Sequence, residues 1–298
     1  SPGATSIRPK LPGIDLPGIF EVRTVPDARA IRDWIERGTQ FLAGMYSYSG
    51  IQFARPVRRA VVIGGGFIGL ETAENLIHAG FEVTLVEMLD QLLAPLDREF
   101  ARLVEEHVKR HGMRLALGDG VEGFERVDSG AIEVRTQSGK KYPADVVILA
   151  LGVRPDIALA KTARLAIGER GGIRVDEHMR TSDPNIFAVG DAVEVRDFGT
   201  GEPALIALAG PANRQGRIAA DVIAGRASRY RGTQGTSIIG LFGAAAAWTG
   251  VSEKTLQRLR DDDYEKIYLF PNSHAGYYPG AKPLALKFLF RNSDGRVR

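Results

Sequence analysis

Residues 59–87 leave the chain little choice of fold. Residues 60–63 (AVVI) are an apolar run of strand length, the kind that a parallel sheet buries on both faces. The run enters Gly64-Gly65-Gly66-Phe67-Ile68-Gly69. A helix pattern then carries Leu70, Ala73, Leu76 and Ile77 to Gly80, and residues 81–86 (FEVTLV) read as a second strand closing on Glu87. Strand, glycine turn, helix and strand within about 30 residues make a βαβ unit. Gly64 permits the tight turn, Gly66 lets the backbone approach a pyrophosphate, and Gly69 lets helix and strand pack closely. The helix start offers free N–H groups and a positive dipole end to phosphate. Glu87 follows Gly69 by 18 positions, close to the roughly 20 at which an acid receives the adenosine ribose. Its charge repels a 2′-phosphate, and Met88 and Leu89 follow it rather than an arginine, so the pattern favours NADH over NADPH. A bare GxGxxG is weak in a chain with 35 glycines; the flanking strand, helix and acid make this one specific.

The remainder reads as four segments. Residues 1–56 open on a Pro- and Gly-rich loop and continue into a helix over 27–38, with Asp27 as N-cap and Gly38 as C-cap. Residues 57–155 complete an open α/β domain. They add an amphipathic helix over 96–111 with Leu96, Phe100, Leu103, Val104 and Val108 on one stripe, a strand at 113–117, a hairpin at 132–142 and a buried strand at 146–151 ending at Gly152. Residues 156–233 hold a strand near 173–175, another at 186–189 running into Gly190-Asp191, and a helix over 212–224. Residues 234–298 hold a helical piece at 254–259 and a strand at 284–290, where Leu284, Leu286, Phe288 and Phe290 alternate onto one face.

Composition removes several function classes. A net charge of +3 is too weak and dispersed for nucleic acid, and Asp261-Asp262-Asp263 reads as a solvated loop. No stretch approaches the roughly 20 apolar residues that span a bilayer, so a cytoplasmic protein without membrane contact is expected. His107 and His111 stand one helical turn apart, but no third ligand accompanies them, and no metal site is expected. There is no cysteine, which removes disulfides and thiolate chemistry from these residues.

Residues 181–192 (TSDPNIFAVGDA) closely resemble the second flavin-binding motif of the pyridine nucleotide–disulfide oxidoreductases. The other matches fall in family order. Residues 149–155 (LALGVRP, with Gly152) and 1–4 (SPGA) resemble the two crossings between NAD and FAD domains. Residues 209–216 (AGPANRQG, with Ala209 and Pro211) resemble the start of the helix aimed at the flavin pyrimidine. Residues 274–281 (HAGYYPGA) resemble the dimerisation domain of the CoA-disulfide reductase, NADH-dependent persulfide reductase and NADH oxidase subgroup. The resemblance implies a Rossmann-like NAD(P)-binding domain inserted in a split FAD-binding domain, followed by the start of an α+β dimerisation domain. It implies FAD as cofactor, a homodimer, and a small disulfide or persulfide such as CoA disulfide as substrate. Asp191 would hold the flavin ribityl chain. Phe67 would lie over the flavin or serve as helix-start packing. Glu71 would sit near the nicotinamide or be an exposed first-turn acid. Tyr277 or Tyr278 would donate a proton to a leaving thiolate or pack at the dimer interface.

The family needs a redox cysteine and an N-terminal glycine loop for the FAD adenosine diphosphate, and this sequence contains neither. The expected reason is that the chain is part of a longer polypeptide, cut at both ends. A cysteine-free electron-transfer reductase, an enzyme reducing O2 or peroxide, and a nucleotide-binding module without turnover are the alternatives.

Overall fold

The computed structural model describes residues 1–40, 58–127 and 130–298, with side chains of 37–40 excepted. The chain begins with β1 (Ala4–Ser6), β2 (Ile19–Glu21) and α1 (Val25–Gln40). Then come β3 (Arg59–Ile63), α2 (Phe67–His78), β4 (Glu82–Glu87), α3 (Arg98–Arg110) and β5 (Arg114–Leu117). A meander of β6 (Val121–Arg126), β7 (Ile132–Thr136) and β8 (Lys141–Ala144) leads to β9 (Val146–Leu149) and β10 (Val153–Pro155).

Strands β2, β9, β3, β4 and β5, in that order, form a parallel sheet. Successive side chains of a strand point to opposite faces. Ala60 and Val62 therefore join Leu70, Leu76 and Leu85 under the helices, while Val61 and Ile63 join Phe124, Val134 and Val147 under the β6–β7–β8 sheet. An unbroken apolar strand is thus partitioned between two cores. Asp145 fixes the entry of β3: its buried carboxylate accepts from the Arg58 and Arg59 N–H groups at 3.1 and 2.9 Å and from the Arg59 guanidinium at 2.8 Å.

The second region comprises α4 (Ala158–Thr162), β11 (Ile173–Arg174), β12 (Val193–Arg196), β13 (Pro203–Ala204) and α5 (Ala209–Ile223). Its separate core gathers Ile173, Met179, Val193, Val195 and Ile218. Strands β1 and β10, the two segments read as crossings, pair antiparallel with Ala4 opposite Pro155. The C-terminal region has two hairpins, β14 (Ser237–Leu241) with β15 (Ala244–Trp248) and β16 (Glu265–Leu269) with β17 (Leu286–Phe290), separated by α6 (Glu253–Leu259). The first hairpin sends Ile239 and Leu241 into the helix-side core of the parallel sheet.

Four sequence expectations are corrected. Thr24, not Asp27, caps α1: its carbonyl accepts the first helical bond from Ala28, and the Asp27 carboxylate reaches back to the Thr24 N–H at 2.7 Å. This is a reciprocal capping box of the Ser/Thr-x-x-acid type. The helix also continues through Gly38 to Gln40. Residues 186–189 make a single bridge, Phe187 to Arg180, rather than a strand. In α3, Leu103 is exposed while Glu105 is buried, its Oε1 accepting from the Leu92 N–H at 3.2 Å. For β17, where the sequence reading named no inner face, the structure buries Lys287 and Leu289 and leaves Leu284 and Phe288 exposed.

Candidate functional site

The glycine loop leaves β3 with Gly64 at φ +112°, where a Cβ would lie 2.2 Å from the Ala150 carbonyl oxygen. At Gly69, inside the first turn of α2, a Cβ would lie 1.9 Å from the Gly64 carbonyl oxygen. These two glycines are required by the protein's own packing. Gly66 differs: it is exposed, its backbone is extended, and an added Cβ meets nothing within 4 Å. Gly66 is also the N-cap of α2 and contributes no side-chain hydrogen bond, so the first N–H groups of the helix keep their bonding capacity. Free donors, the positive end of the helix dipole and open space meet at one point, a cradle suited to phosphate.

Glu87 ends β4 beside this loop. Its Oε2 accepts from the Gly65 N–H at 2.6 Å and its Oε1 from the Leu89 N–H at 2.7 Å. The carboxylate is thereby fixed in place with lone pairs to spare for ribose hydroxyls. It also holds the loop, a role the sequence reading did not assign. Ile68 is half-buried against the helix-side core, and Glu71 is exposed. Phe67 stacks on Trp248 of β15, with ring centroids 5.4 Å apart and planes at 25°.

A second group assembles where β1 meets the 3-10 turn at Gly190–Ala192 and the start of α5. Gly190 adopts φ +80° and donates its N–H to Gln215 Oε1 at 2.7 Å; Gln215 is fully buried. Ser1 Oγ donates to the Val189 carbonyl at 2.8 Å. Arg23 bridges the group, its Nη2 lying 3.8 Å from Asp191 Oδ2 and its Nε donating to the Ala4 carbonyl at 3.1 Å. The N-terminus of α5 lacks a side-chain cap, Ala209 and Gly210 are exposed there, and Pro211 has no N–H to leave unsatisfied. Gly152, at φ +88°, accepts from the Ile7 N–H at 2.9 Å and closes the crossing beside β1.

The structure thus groups Gly64–Gly69 with Glu87, and Gly190 and Asp191 with the start of α5. It does not draw Tyr277 and Tyr278 into either group. They lie between β16 and β17, 85% and 61% exposed, with rings 4.9 Å from each other. Trp248, Arg23 and Gln215 escaped the sequence reading. Gln215 carried a signal, since it shares the helical stripe of Ile218 and Ala219. The partners of Trp248 and Arg23 are distant in sequence and left none.

A cavity of about 500 Å3 lies apart from these groups, between α3 and the C-terminal region, lined by Phe100, Leu103, Lys266 and Phe270 among others. An ionic cluster adjoins it. The ammonium of Lys287, 6% exposed, lies 2.9 Å from Asp97, 2.6 Å from Glu99 and 2.5 Å from Glu253. Burial opposes that charge, but hydrogen bonds to the three carboxylates outweigh it and hold Lys287 above the ordinary lysine range. Burial likewise opposes the charge of Glu99, and bonds from Lys287 and Tyr268 bring its pKa down to about 2.

The sequence pattern of the pyridine nucleotide-disulphide oxidoreductases matches residues 1–216. The chain belongs to this family. It is 33% identical over 300 residues to the CoA-dependent NAD(P)H sulfur oxidoreductase of Pyrococcus abyssi, covering 99% of this chain and 62% of that relative. It is 36% identical over 301 residues to an NADH oxidase of Methanocaldococcus jannaschii, covering 99% and 61%. Among solved structures, reduced Bacillus anthracis CoADR-RHD superimposes with a TM-score of 0.90 at 45% identity, over 99% of this chain and 50% of that one. The chain therefore spans about three fifths of the length of these curated relatives. The likeness accounts for the Rossmann-type architecture of the parallel sheet and its glycine loop.

Proposed function

We propose that this chain is the pyridine-nucleotide-binding part of an FAD-dependent NADH oxidoreductase that reduces a small disulfide or persulfide, with CoA disulfide or a CoA persulfide favoured. The observation that carries the proposal is Gly66: the protein itself gives no steric reason for a glycine there, while an uncapped helix and a fixed carboxylate frame the opening. Residues 57–155 would take NADH. Residues 1–56 and 156–233 would hold the flavin, and residues 234–298 would supply the dimer contact. Exposed Ile267, Leu269, Phe270 and Phe288 on the second hairpin support a homodimer. NADH as donor would suit a cytoplasmic enzyme.

Each residue has a physical task in this scheme. The N–H groups at the start of α2 bind pyrophosphate, and Glu87 orients the adenosine ribose. Asp191, held near Arg23, would accept from the ribityl hydroxyls, and the free N-terminus of α5 would favour negative charge at the pyrimidine edge. The residues present fit the flavin's ring and ribityl end. Bound flavin supplies the two-electron relay from NADH to sulfur. NADH and one proton enter, one S–S bond breaks, and two thiols, or a thiol and hydrogen sulfide, leave with NAD+. The thiolate this needs is supplied by none of the 298 residues, so in this scheme it comes from outside them. Tyr277 and Tyr278, exposed and paired, would serve a site across the dimer as proton donors. An oxidase reading, with O2 as acceptor, rests on the M. jannaschii relative's name.

Titration calorimetry with the two nucleotides tests the donor assignment. NADH should bind at least about tenfold more tightly than NADPH, and Glu87→Gln should narrow that gap by removing the charge that repels a 2′-phosphate, worth about 1.4 kcal/mol per tenfold. NADPH binding as tightly as NADH would sink the assignment. The acceptor is tested by NADH consumption with CoA disulfide against O2 in the flavin-loaded protein; turnover with O2 alone would favour the oxidase.

A further inference from the structure

Trp248 has no place in the scheme above, yet the fold invests heavily in where it sits. The β14–β15 hairpin clasps α2 at both ends. Near the C-terminal end of α2, Glu74 Oε1 accepts from the Phe242 N–H at 2.6 Å, and His78 packs edge-on to the Phe242 ring at 5.5 Å. From α3, His111 stacks on that ring at 4.6 Å and His107 Nε2 bonds the Leu241 carbonyl at 3.0 Å. Ile239 and Leu241 are buried in the core beneath. The hairpin is therefore anchored by its turn. Its other end carries Trp248 to the opposite end of α2, where the ring stacks on Phe67. Phe67 is the residue next to Gly66, at the mouth of the glycine loop.

We propose that Trp248 is a positioning residue for nucleotide binding: its stack holds the Phe67 ring in the one orientation that leaves the loop open to the nicotinamide half of the dinucleotide. The inference rests on the reading of Gly64–Gly69 as the NADH site. With Glu87 claiming the adenosine ribose, the nicotinamide half leaves the pyrophosphate on the side away from β4, past the start of α2. A phenyl ring at that start either borders the path or blocks it. A half-buried stack of this geometry biases a ring between two orientations by roughly 2- to 12-fold. The apparent affinity for a ligand falls in proportion to the fraction of protein in the competent state. Anchoring Trp248 on a clamped hairpin raises that fraction without any contact between Trp248 and the ligand.

The test uses the 298-residue chain, NADH and a double-mutant cycle read by calorimetry. Trp248→Ala should weaken NADH binding by up to about 12-fold, the full factor applying where the competent orientation becomes the minor one, and Trp248→Phe, which keeps a ring to stack on, should restore most of the loss. In a Phe67→Ala background, Trp248→Ala should have no further effect, because nothing remains to be positioned. Trp248 emission offers a second readout, since the only other tryptophan, Trp34, is buried with its Nε1 donating to the Asp145 carbonyl at 2.9 Å. NADH should change the Trp248 part of the emission, defined by difference from Trp248→Phe. Equal losses from Trp248→Ala with and without Phe67, or unchanged affinity, overturn the positioning role while leaving the NADH site standing. No NADH binding to the unaltered chain overturns the site reading, and this inference with it.

Discussion

Gly66 and Gly69 occupy one loop and answer to different neighbours, which gives them opposite mutational signatures. A methyl group at Gly69 collides with a backbone carbonyl that cannot move without opening the turn, at 1.9 Å. Gly69→Ala should therefore cost at least about 1–3 kcal/mol of stability, the range for overpacking a filled site. A methyl group at Gly66 meets open space at a backbone conformation any residue adopts. Gly66→Ala should cost less than about 1 kcal/mol, the modest penalty for alanine at an N-cap, yet weaken NADH at least tenfold by filling the phosphate cradle. Urea unfolding and calorimetry on both variants separate the two demands; loss of stability without loss of binding at Gly66 would make it a packing glycine. At this scale the sequence was most legible. The positive φ of Gly64 and the fit of Gly69 against the Gly64 carbonyl are local geometry, and local geometry is written in adjacent residues, although the space at Gly64 is also closed by Ala150 from far along the chain. The rotation of Gln215 toward the Gly190 N–H, and of Phe67 toward Trp248, is decided by partners 25 and 181 positions away, and no neighbouring residue announces it.

Elements were legible where their period was strong. The βαβ unit, α3 and the β7–β8 hairpin lie within a residue or two of their expected places, because a stripe or alternation recurs several times in each. Misreadings arose where one polar group decided the outcome. Thr24 starts α1 three residues early because its reciprocal bonds with Asp27 satisfy helix N–H groups. Asp27→Ala removes the acceptor for the Arg23 and Thr24 N–H groups and should lower stability by about 0.5–2 kcal/mol. Thermal unfolding measures this, and an unchanged midpoint would return the cap to the frayed end of the helix. In strand β17 the alternation left open which face is inside. Alternation identifies two faces but not which is inside, and here a lysine is inside because three carboxylates wait for it.

On the scale of the molecule, that lysine joins three parts of the chain. Asp97 and Glu99 belong to the start of α3, Glu253 to α6 and Lys287 to β17, and Asp97 also accepts from the Glu253 and Lys254 N–H groups at 3.1 and 3.2 Å. Docking of the C-terminal region onto the parallel-sheet region therefore carries a charge balance. Removing the ammonium strands three carboxylates together, so Lys287→Met should cost about 3–5 kcal/mol at neutral pH, the range for breaking a buried pair on one side. The pH dependence has a definite sign. Burial opposes the charge of Glu99 and of Glu253, yet hydrogen bonds from Lys287, with Tyr268 at Glu99 and Lys266 at Glu253, lower both pKa values from 4.5, that of Glu99 to about 2. A carboxylate with a depressed folded-state pKa contributes stability above its unfolded value and loses it as pH falls through the folded one. Stability should thus be level above about pH 5 and fall between pH 4.5 and about 2. The raised pKa of Lys287 has the opposite sense: its contribution is complete below its ordinary value near 10.5 and erodes only in strong alkali. Unfolding midpoints measured from pH 7 to 2.5 should show the acid decline in the unaltered chain and a shallower one in Lys287→Met, where the carboxylates have lost the partner that depressed them. Equal slopes in the two proteins would mean that the cluster does not couple the regions.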